Sequence, residues 1–368
     1  MSAIAIARAT PQLRASDALS RAAGKNLCPE YCETVEAAVS LLAEYRSQLG
    51  GEAAGQAASP ACEAFRTLAD TLWSDWRPIW RDAFECVTEL AKSAERMAAA
   101  KQYTEAHLTR ELLSAPIWRQ AYTKPRGYCG DYMVMNHIYD GRPVGDTTFA
   151  RLAQALAVRT GEFILRRRDL MHSAIEEAVK RESRSARTTI VSVGCGPARE
   201  IADFAATGAG AATPVTFVLV DHDEAALRFA GNSIAAALAV PGSHPQLQVD
   251  LRKLSALRLL RDLPPLEAFG SADLIYSAGL FDYFSDRTCR LLACRLYEAL
   301  RPGGALLLGN MKAATDMLWP LYLIADWSLQ YRTAESVMSW ASDLPGAEVS
   351  LRTETTGYDY LLTVRKPS

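Results

Sequence analysis

Apolar and polar positions alternate in two different textures along this chain. In the first half they recur at helical spacing. Val35, Val39, Leu42 and Leu49 share one face, and Gly50-Gly51 follows, which predicts a helix over 33–49 ended by paired glycines. "GEAAGQAASP" (51–60) then reads as a loop. Residues 61–119 are rich in Ala, Leu, Glu and Arg and show no strand alternation, so further helices are expected. Tryptophans 73, 76, 80 and 118 fit packing between those helices, with a functional aromatic cluster as the alternative. Helical spacing resumes over 146–183.

The texture changes at Thr188. Short continuous apolar runs alternate with helical stretches: "TTIVSVG", "VTFVLVD", "LQVDL", "ADLIYSAG" and "GALLLGN". Such strands, apolar on both faces and separated by helices, predict a parallel sheet covered on both sides. "AEVSLRT" and "YDYLLTVRK", joined by the turn-like "ETTG", read instead as an antiparallel pair. The expected organisation is a helical domain over 1–183 and an α/β domain over 184–368.

Composition narrows the function. The 368 residues are 49% hydrophobic, as in ordinary globular proteins, and 40 basic against 42 acidic residues give a net charge of −2. No basic excess points to nucleic acid, and no apolar run approaches the roughly 20 residues of a membrane helix. A soluble, cytoplasmic protein is expected. The eight cysteines are scattered without zinc-like spacing, which predicts reduced thiols and no metal. The Ala- and Arg-containing N-terminus reads as a disordered tail rather than a secretory signal.

"TTIVSVGCGPARE" places Gly194 and Gly196 directly after a strand, where a glycine turn lets a ligand approach the backbone and the next helix start offers N–H donors. Arg199 stands where the third glycine of a dinucleotide fingerprint belongs. The second strand ends in Asp221, an acid that can accept from two ribose hydroxyls; a solvated loop acid is the alternative. Nicotinamide dehydrogenases and S-adenosylmethionine-dependent methyltransferases share this logic. The missing glycine, the antiparallel C-terminal pair and "LYEALRPGGALLLGN" favour the methyltransferase.

Residues 184–368 resemble a class I methyltransferase. At a finer level the chain is similar to the bacterial extracellular-factor or 3-hydroxypalmitic acid methyl ester biosynthesis family. The likeness is carried by "TKPRGYCGDYMVMNHIYDG" (123–141), "VSVGCGPARE" (191–200), "SAGLFDYFSDR" (277–287), "RPGGALLLGN" (301–310) and "DWSLQYRT" (326–333). It departs at "MLWPLY" (317–322), where the family has a shorter acidic-aromatic segment.

The resemblance implies a Rossmann-like seven-stranded sheet, parallel with one antiparallel C-terminal strand, preceded by an all-α N-terminal domain. It implies S-adenosylmethionine as cofactor and S-adenosylhomocysteine as product. Gly194, Cys195, Gly196, Asp221, His222, Ser277, Ala278, Gly279 and Tyr128 are the cofactor-binding candidates. Asp282 and Tyr283 line the same cleft on this reading and are catalytic candidates, with a buried structural pair as the alternative.

Methyl transfer from a sulfonium requires alignment of nucleophile, methyl and sulfur. A carboxylate acceptor, with an ordinary pKa of about 4, needs no base; a hydroxyl or ammonium does, and Asp282, Asp131 or His137 are the nominees. Arg126, Lys124, Arg199 and Arg332 are the candidates for holding an acceptor carboxylate, each with a surface or ion-pairing role as the alternative. "MLWPLYLIADW" (317–327) reads as a pocket wall or as a buried helix interrupted by Pro320.

"AYTKPRGYCGDY" (121–132) breaks the helices with Pro125, Gly127 and Gly130. A tight turn accounts for those three residues. A lid over the cofactor cleft, extending to 141, accounts also for its charge and aromatics: Tyr128 and Asp131 as catalytic residues, and Arg126, Tyr132 and Asn136, with Asn310, Trp327 and Arg332, as acceptor-binding ones. The expected activity is methylation of a small molecule, foremost a fatty-acid-like or natural-product carboxylate. N- or O-methylation of another metabolite or a peptide scaffold is the second reading; a nicotinamide oxidoreductase or a non-catalytic binding module are remote ones. A homodimer is compatible with all of them.

Overall fold

A computed structural model describes residues 27–49, 59, 61–181, 187–208, 213–261 and 272–368. The expected N-terminal tail, Gly50-Gly51 and nearly all of the 51–60 loop lie outside them. The chain divides into two compact units, Met1–Thr160 with Thr315–Ser328, and Gly161–Ala314 with Leu329–Ser368.

The first unit is helical. Helix α1, Pro29–Gln48, buries Tyr31, Val35, Ala38, Leu42 and Tyr45. Its inner face therefore includes Val35 and Leu42 as expected but turns through Ala38, leaving Val39 and Leu49 half-buried. Helix α2, Glu63–Leu90, buries Phe65, Ala69, Leu72, Trp76, Trp80, Ala83, Val87 and Leu90, a three- and four-residue spacing that forms one continuous apolar stripe. Helices α3 (Ala94–Thr104), α4 (Pro116–Thr123), α5 (Tyr132–Asp140) and α6 (Thr148–Thr160) follow.

The tryptophans are packing residues. Trp76 stacks on Trp319 at 5.4 Å, Trp73 meets Trp80 edge-on at 5.8 Å, and the Trp118 indole donates to Ala153 O at 3.1 Å. The expected helix over 317–327 is a π-helical stretch, Trp319–Ile324, with Pro320 in its first turn. A second one, Glu105–Thr109, is tied to it by the Thr109 hydroxyl on Ile324 O.

The second unit opens with α7, Glu162–Arg181, and then carries the sheet. The strands are β1 Thr188–Val193, β2 Val215–Asp221, β3 Leu247–Lys253, β4 Ala272–Ser277, β5 Leu300–Met311, β6 Glu348–Thr353 and β7 Asp359–Arg365. Their order is β3-β2-β1-β4-β5-β7-β6. All pairings from β3 through β5 are parallel, and β7 runs antiparallel to both β5 and β6. This is the expected seven-stranded Rossmann-like sheet with one reversed strand.

Alternation along each strand feeds two apolar layers. Ile190, Phe217, Leu274 and Leu307 face α7, α8 (Arg199–Thr207) and α9 (Glu224–Leu238). Val191, Val218, Ile275 and Leu306 face α10 (Ala256–Arg261), α11 (Asp286–Glu298) and α12 (Ala334–Met338).

The observed division differs from a boundary after residue 183. Helix α7 buries Met171, Ile175 and Val179 in the same layer as β1 and β2, so it groups with the sheet. Segment 315–328 groups with the helical unit, where Trp319 meets Trp76 and the Trp80 indole donates to Asp316 O at 2.9 Å.

Candidate functional site

Strand order reverses between β1 and β4, and in open α/β sheets ligands bind outside the carboxyl ends of the strands at such a point. The sequence delivers four chain segments to that edge of the second unit.

The first is the turn after β1. Gly194 and Gly196 have φ of +68° and +52°, conformations that cost an L-residue. A Cβ on Gly194 would stand 3.3 Å from the Leu280 side chain, whereas one on Gly196 would meet nothing within 4 Å. The turn thus packs closely against the segment after β4 at its first glycine and stays open at its second. Cys195 is buried and its thiol is pushed well up, first by burial and then by the Asp221 and Glu200 charges, which disfavours the thiolate. Glu200, in the first turn of α8, accepts from the Tyr276 hydroxyl at 2.7 Å, and burial raises its pKa.

The second segment is the tip of β2. Asp221 accepts from the Gly196 N–H through Oδ2 and from the Asp223 N–H through Oδ1, each at 2.9 Å. Oδ2 keeps one further acceptor position, and the second position of Oδ1 faces the His222 ring. Asp223 caps α9 by accepting from Ala225 N, which separates the two acids by role. His222 is largely exposed, with Nδ1 3.2 Å from Asp221 Oδ1.

The third segment follows β4. The Ser277 hydroxyl donates to Val193 O at 2.8 Å, so its side chain ties β4 to β1 and only its backbone is available to a ligand. Gly279 leaves room for a cation: its Cβ would lie 2.7 Å from Arg167 Nη2. Phe281–Tyr283 form a 3₁₀ turn in which Asp282 is buried and Tyr283 is 39% exposed.

The fourth lies where β5 ends and β7 begins. Asp282 accepts from Met311 N at 2.6 Å, and its carbonyl accepts from Gln330 N. Arg167, from α7, pairs with the fully buried Asp359 at 3.0 Å. Burial raises the pKa of both Asp282 and Asp359, with Arg167 as the main opposing influence. Asp359 Oδ1 and the Tyr331 hydroxyl are buried without a hydrogen-bond partner.

Several expectations are corrected here. Asn310 is not a ligand-facing group: it is fully buried, donates to Met311 O and Gln330 O, and accepts from Arg332 at 2.7 Å. Arg332 is a clamp, not an acceptor-binding cation. It is 5% exposed and bonds Asp286, Asn310 and the carbonyls of Phe281, Phe284 and Gln330.

In the helical unit, Asp131 is a helix cap rather than a base. Its Oδ1 accepts from Met133 N and Val134 N, its Oδ2 accepts from Gln120, and no part of it is exposed. Lys124 is ion-paired to Asp326, which also holds Lys101 at 2.6 Å. Arg126 stacks over the Tyr132 ring at 5.2 Å. Tyr128 is half-buried in the same loop, and Asn136 is half-buried with an unpartnered Oδ1. Burial lowers the His137 pKa, opposed by the Asp140 and Asp131 charges. Trp327 is buried, its backbone N–H donating to Leu321 O at 2.7 Å.

Arg167, Tyr331, Asp359 and Glu200 join the site without having been singled out in the sequence. Arg167 carries a readable signal: it falls between Phe163 and Met171 at four-residue spacing, a cation inside an apolar helix stripe. Among the described residues no group of acids, histidines and cysteines is arranged to hold a metal ion, and no helix is long and apolar enough to cross a membrane.

No family model matches the sequence, and no curated protein sequence matches it. Solved structures are similar at low identity. A "possible exported protein" of Bordetella parapertussis is 17% identical with a TM-score of 0.44, covering 96% of this chain and 100% of its own. Magnesium protoporphyrin IX methyltransferase of Synechocystis with bound S-adenosylhomocysteine is 10% identical with a TM-score of 0.43, over 64% of this chain and 94% of its own. The N-methyltransferase NodS of Bradyrhizobium japonicum is 17% identical with a TM-score of 0.35, over 53% and 87%.

Proposed function

We propose that the protein is an S-adenosylmethionine-dependent methyltransferase acting on a small molecule. The observation that carries the reading is the Gly194–Gly196 turn held by Asp221 at the β1/β4 switch point. The residues fit the cofactor: Gly196 leaves open space where a side chain would stand, and the Asp221 carboxylate keeps acceptor capacity on Oδ2 for a ribose hydroxyl, with the His222 ring beside Oδ1. Gly194, Gly196, Asp221 and the backbone of 277–279 would hold it, with His222 at the rim. When bound, the cofactor supplies an activated methyl group on a sulfonium. The chain's own task is to orient the acceptor against it and exclude water, for which the packed segment Leu280–Tyr283 provides the adjoining wall.

For the acceptor, the motifs at 123–141, 277–287, 301–310 and 326–333 support a carboxylate of fatty-acid-like or natural-product type, methylated to an ester, as in the family they resemble. A second reading, methylation of a hydroxyl or amine, is favoured by one observation: Arg332 and Lys124, two of the four cations nominated for a carboxylate, are committed to other partners. Calorimetry with S-adenosylhomocysteine tests the proposal. Micromolar binding by the wild type, lost in Gly194→Arg with the circular dichroism unchanged, is expected; no binding by the wild type overturns it.

A further inference from the structure

The cluster at the β5–β7 end of the site has an imbalance that the fold does not need. Asp282 and Asp359 come from different segments, and each is within the other's electrostatic reach. Arg167 bonds Asp359, and Arg332 also acts on Asp282 but is itself engaged by Asp286 and by Asn310. Glu354 adds a further negative charge facing Asp359, Tyr283 and Tyr331 stand in the same surroundings, and the Cys289 thiol of α11 is acted on by Asp282. Two buried carboxylates therefore face one committed guanidinium, with a second shared elsewhere.

Two polar atoms in this cluster are orphaned. Asp359 is fully buried, yet its Oδ1 accepts from nothing, and the Tyr331 hydroxyl is likewise without a partner. Such atoms cost a folded protein free energy unless something supplies the missing interaction. The position is equally specific. Asp282 lies two residues beyond Leu280, the side chain packed on Gly194, and Arg167 lies against Gly279. The cluster thus borders the same strand ends as the glycine turn.

We propose that Asp282 and Asp359 select the charge of the bound cofactor, favouring the cationic sulfonium of S-adenosylmethionine over the neutral thioether of its demethylated product. The inference rests on the methyltransferase reading and goes beyond it, because it assigns a cause for product release. A cation beside the pair stabilises both carboxylates as anions, and the proton the pair held passes to solvent. Removal of the methyl group removes the positive charge, the pair takes a proton back, and the product is held less tightly. The ammonium of the methionine end is common to both ligands and cancels in the comparison.

The test is calorimetric and needs no methyl acceptor. S-adenosylmethionine, S-adenosylhomocysteine and sinefungin, which carries an amine in place of the methylated sulfur, are titrated into the full chain at pH 6.5 in buffers of different ionisation enthalpy. The two cationic ligands should release up to about one proton, and the thioether clearly fewer. Between pH 5.5 and 8, affinity for S-adenosylmethionine should rise roughly fivefold to tenfold relative to that for the thioether. Asp359→Asn, which keeps an acceptor for Arg167, should abolish the difference. Asp282→Asn serves the same purpose should the first variant fail to fold.

Equal proton release by all three ligands in the wild type, or a difference that survives both substitutions, overturns the charge selection and leaves the methyltransferase reading intact. Absence of binding by every ligand overturns both.

Discussion

The carboxylate of Asp221, the last residue of β2, accepts the backbone N–H of Gly196, three residues beyond the end of β1, at 2.9 Å. One side chain thereby fixes the shape of the glycine turn. An amide at this position must choose between accepting from Gly196 and accepting from Asp223, since one of its two heavy atoms is a donor. Asp221→Asn is therefore expected to weaken S-adenosylhomocysteine binding by at least roughly tenfold while the far-ultraviolet circular dichroism stays that of the wild type, the loss corresponding to about one charge-assisted hydrogen bond. Unchanged affinity would remove Asp221 from the site.

Gly194 makes a second, independent demand on the same turn. Its φ of +68° and the 3.3 Å distance from a would-be Cβ to Leu280 both act against any side chain. Gly194→Ala should cost about 1–2 kcal/mol of stability from the left-handed backbone alone, seen as a lowered denaturant midpoint at constant m. Ligand affinity should fall further than Asp221→Asn reduces it if the turn shifts to relieve Leu280.

Asp282 and Asp359 give stability a definite pH dependence. Their folded-state pKa values are raised, to about 6 and about 7, with burial as the leading cause. From the unfolded value of about 3.9 up through the folded values the folded chain holds more protons than the unfolded one, so this pair's contribution is full at low pH and is lost as pH rises through about 6 and then about 7. Asp359→Asn should flatten that fall, with a melting temperature at pH 8 higher relative to wild type than at pH 5. A variant that loses stability equally at both values would show that Asp359 acts through Arg167 alone.

All seven strands are legible in the sequence, most as short apolar runs bounded by turns and the last two as a pair joined by the turn-like "ETTG", and the glycine turn with Asp221 is legible because its parts adjoin predicted strand ends. What is not legible depends on long-range pairing. Arg167 and Asp359 are 192 residues apart, and nothing local to either marks them as partners. Asn310 looks ligand-facing from its place at a strand end, but residues 330–332 fold back over it and consume every polar atom it has. Asp131, conspicuous among glycines and tyrosines, follows a simpler rule: an acid immediately before a helix is a cap.

That rule gives Asp131 a measurable size. With two backbone N–H groups and Gln120 lost together, Asp131→Ala should destabilise the protein by about 1–2 kcal/mol, whereas Asp131→Asn, which keeps an acceptor for Met133 and Val134, should recover most of it. A catalytic role predicts the reverse ranking, with Asn as inactive as Ala at nearly wild-type stability.

Arg332 offers the largest expected effect outside the turn. It is 5% exposed and serves Asp286, Asn310 and three backbone carbonyls. Arg332→Ala leaves those acceptors without a donor in a buried setting, and a loss of about 3 kcal/mol is expected, at the lower end of what breaking a buried ion pair costs because Asp286 itself stays largely exposed. Lysine keeps the charge but supplies three donors from one point in place of a planar fork, so Arg332→Lys should recover less than half of the loss. Chemical denaturation of the three proteins decides the matter. Full recovery by lysine would mean that the charge beside Asp282, and not the fork geometry, is what holds residues 281–284 and 330–332 together.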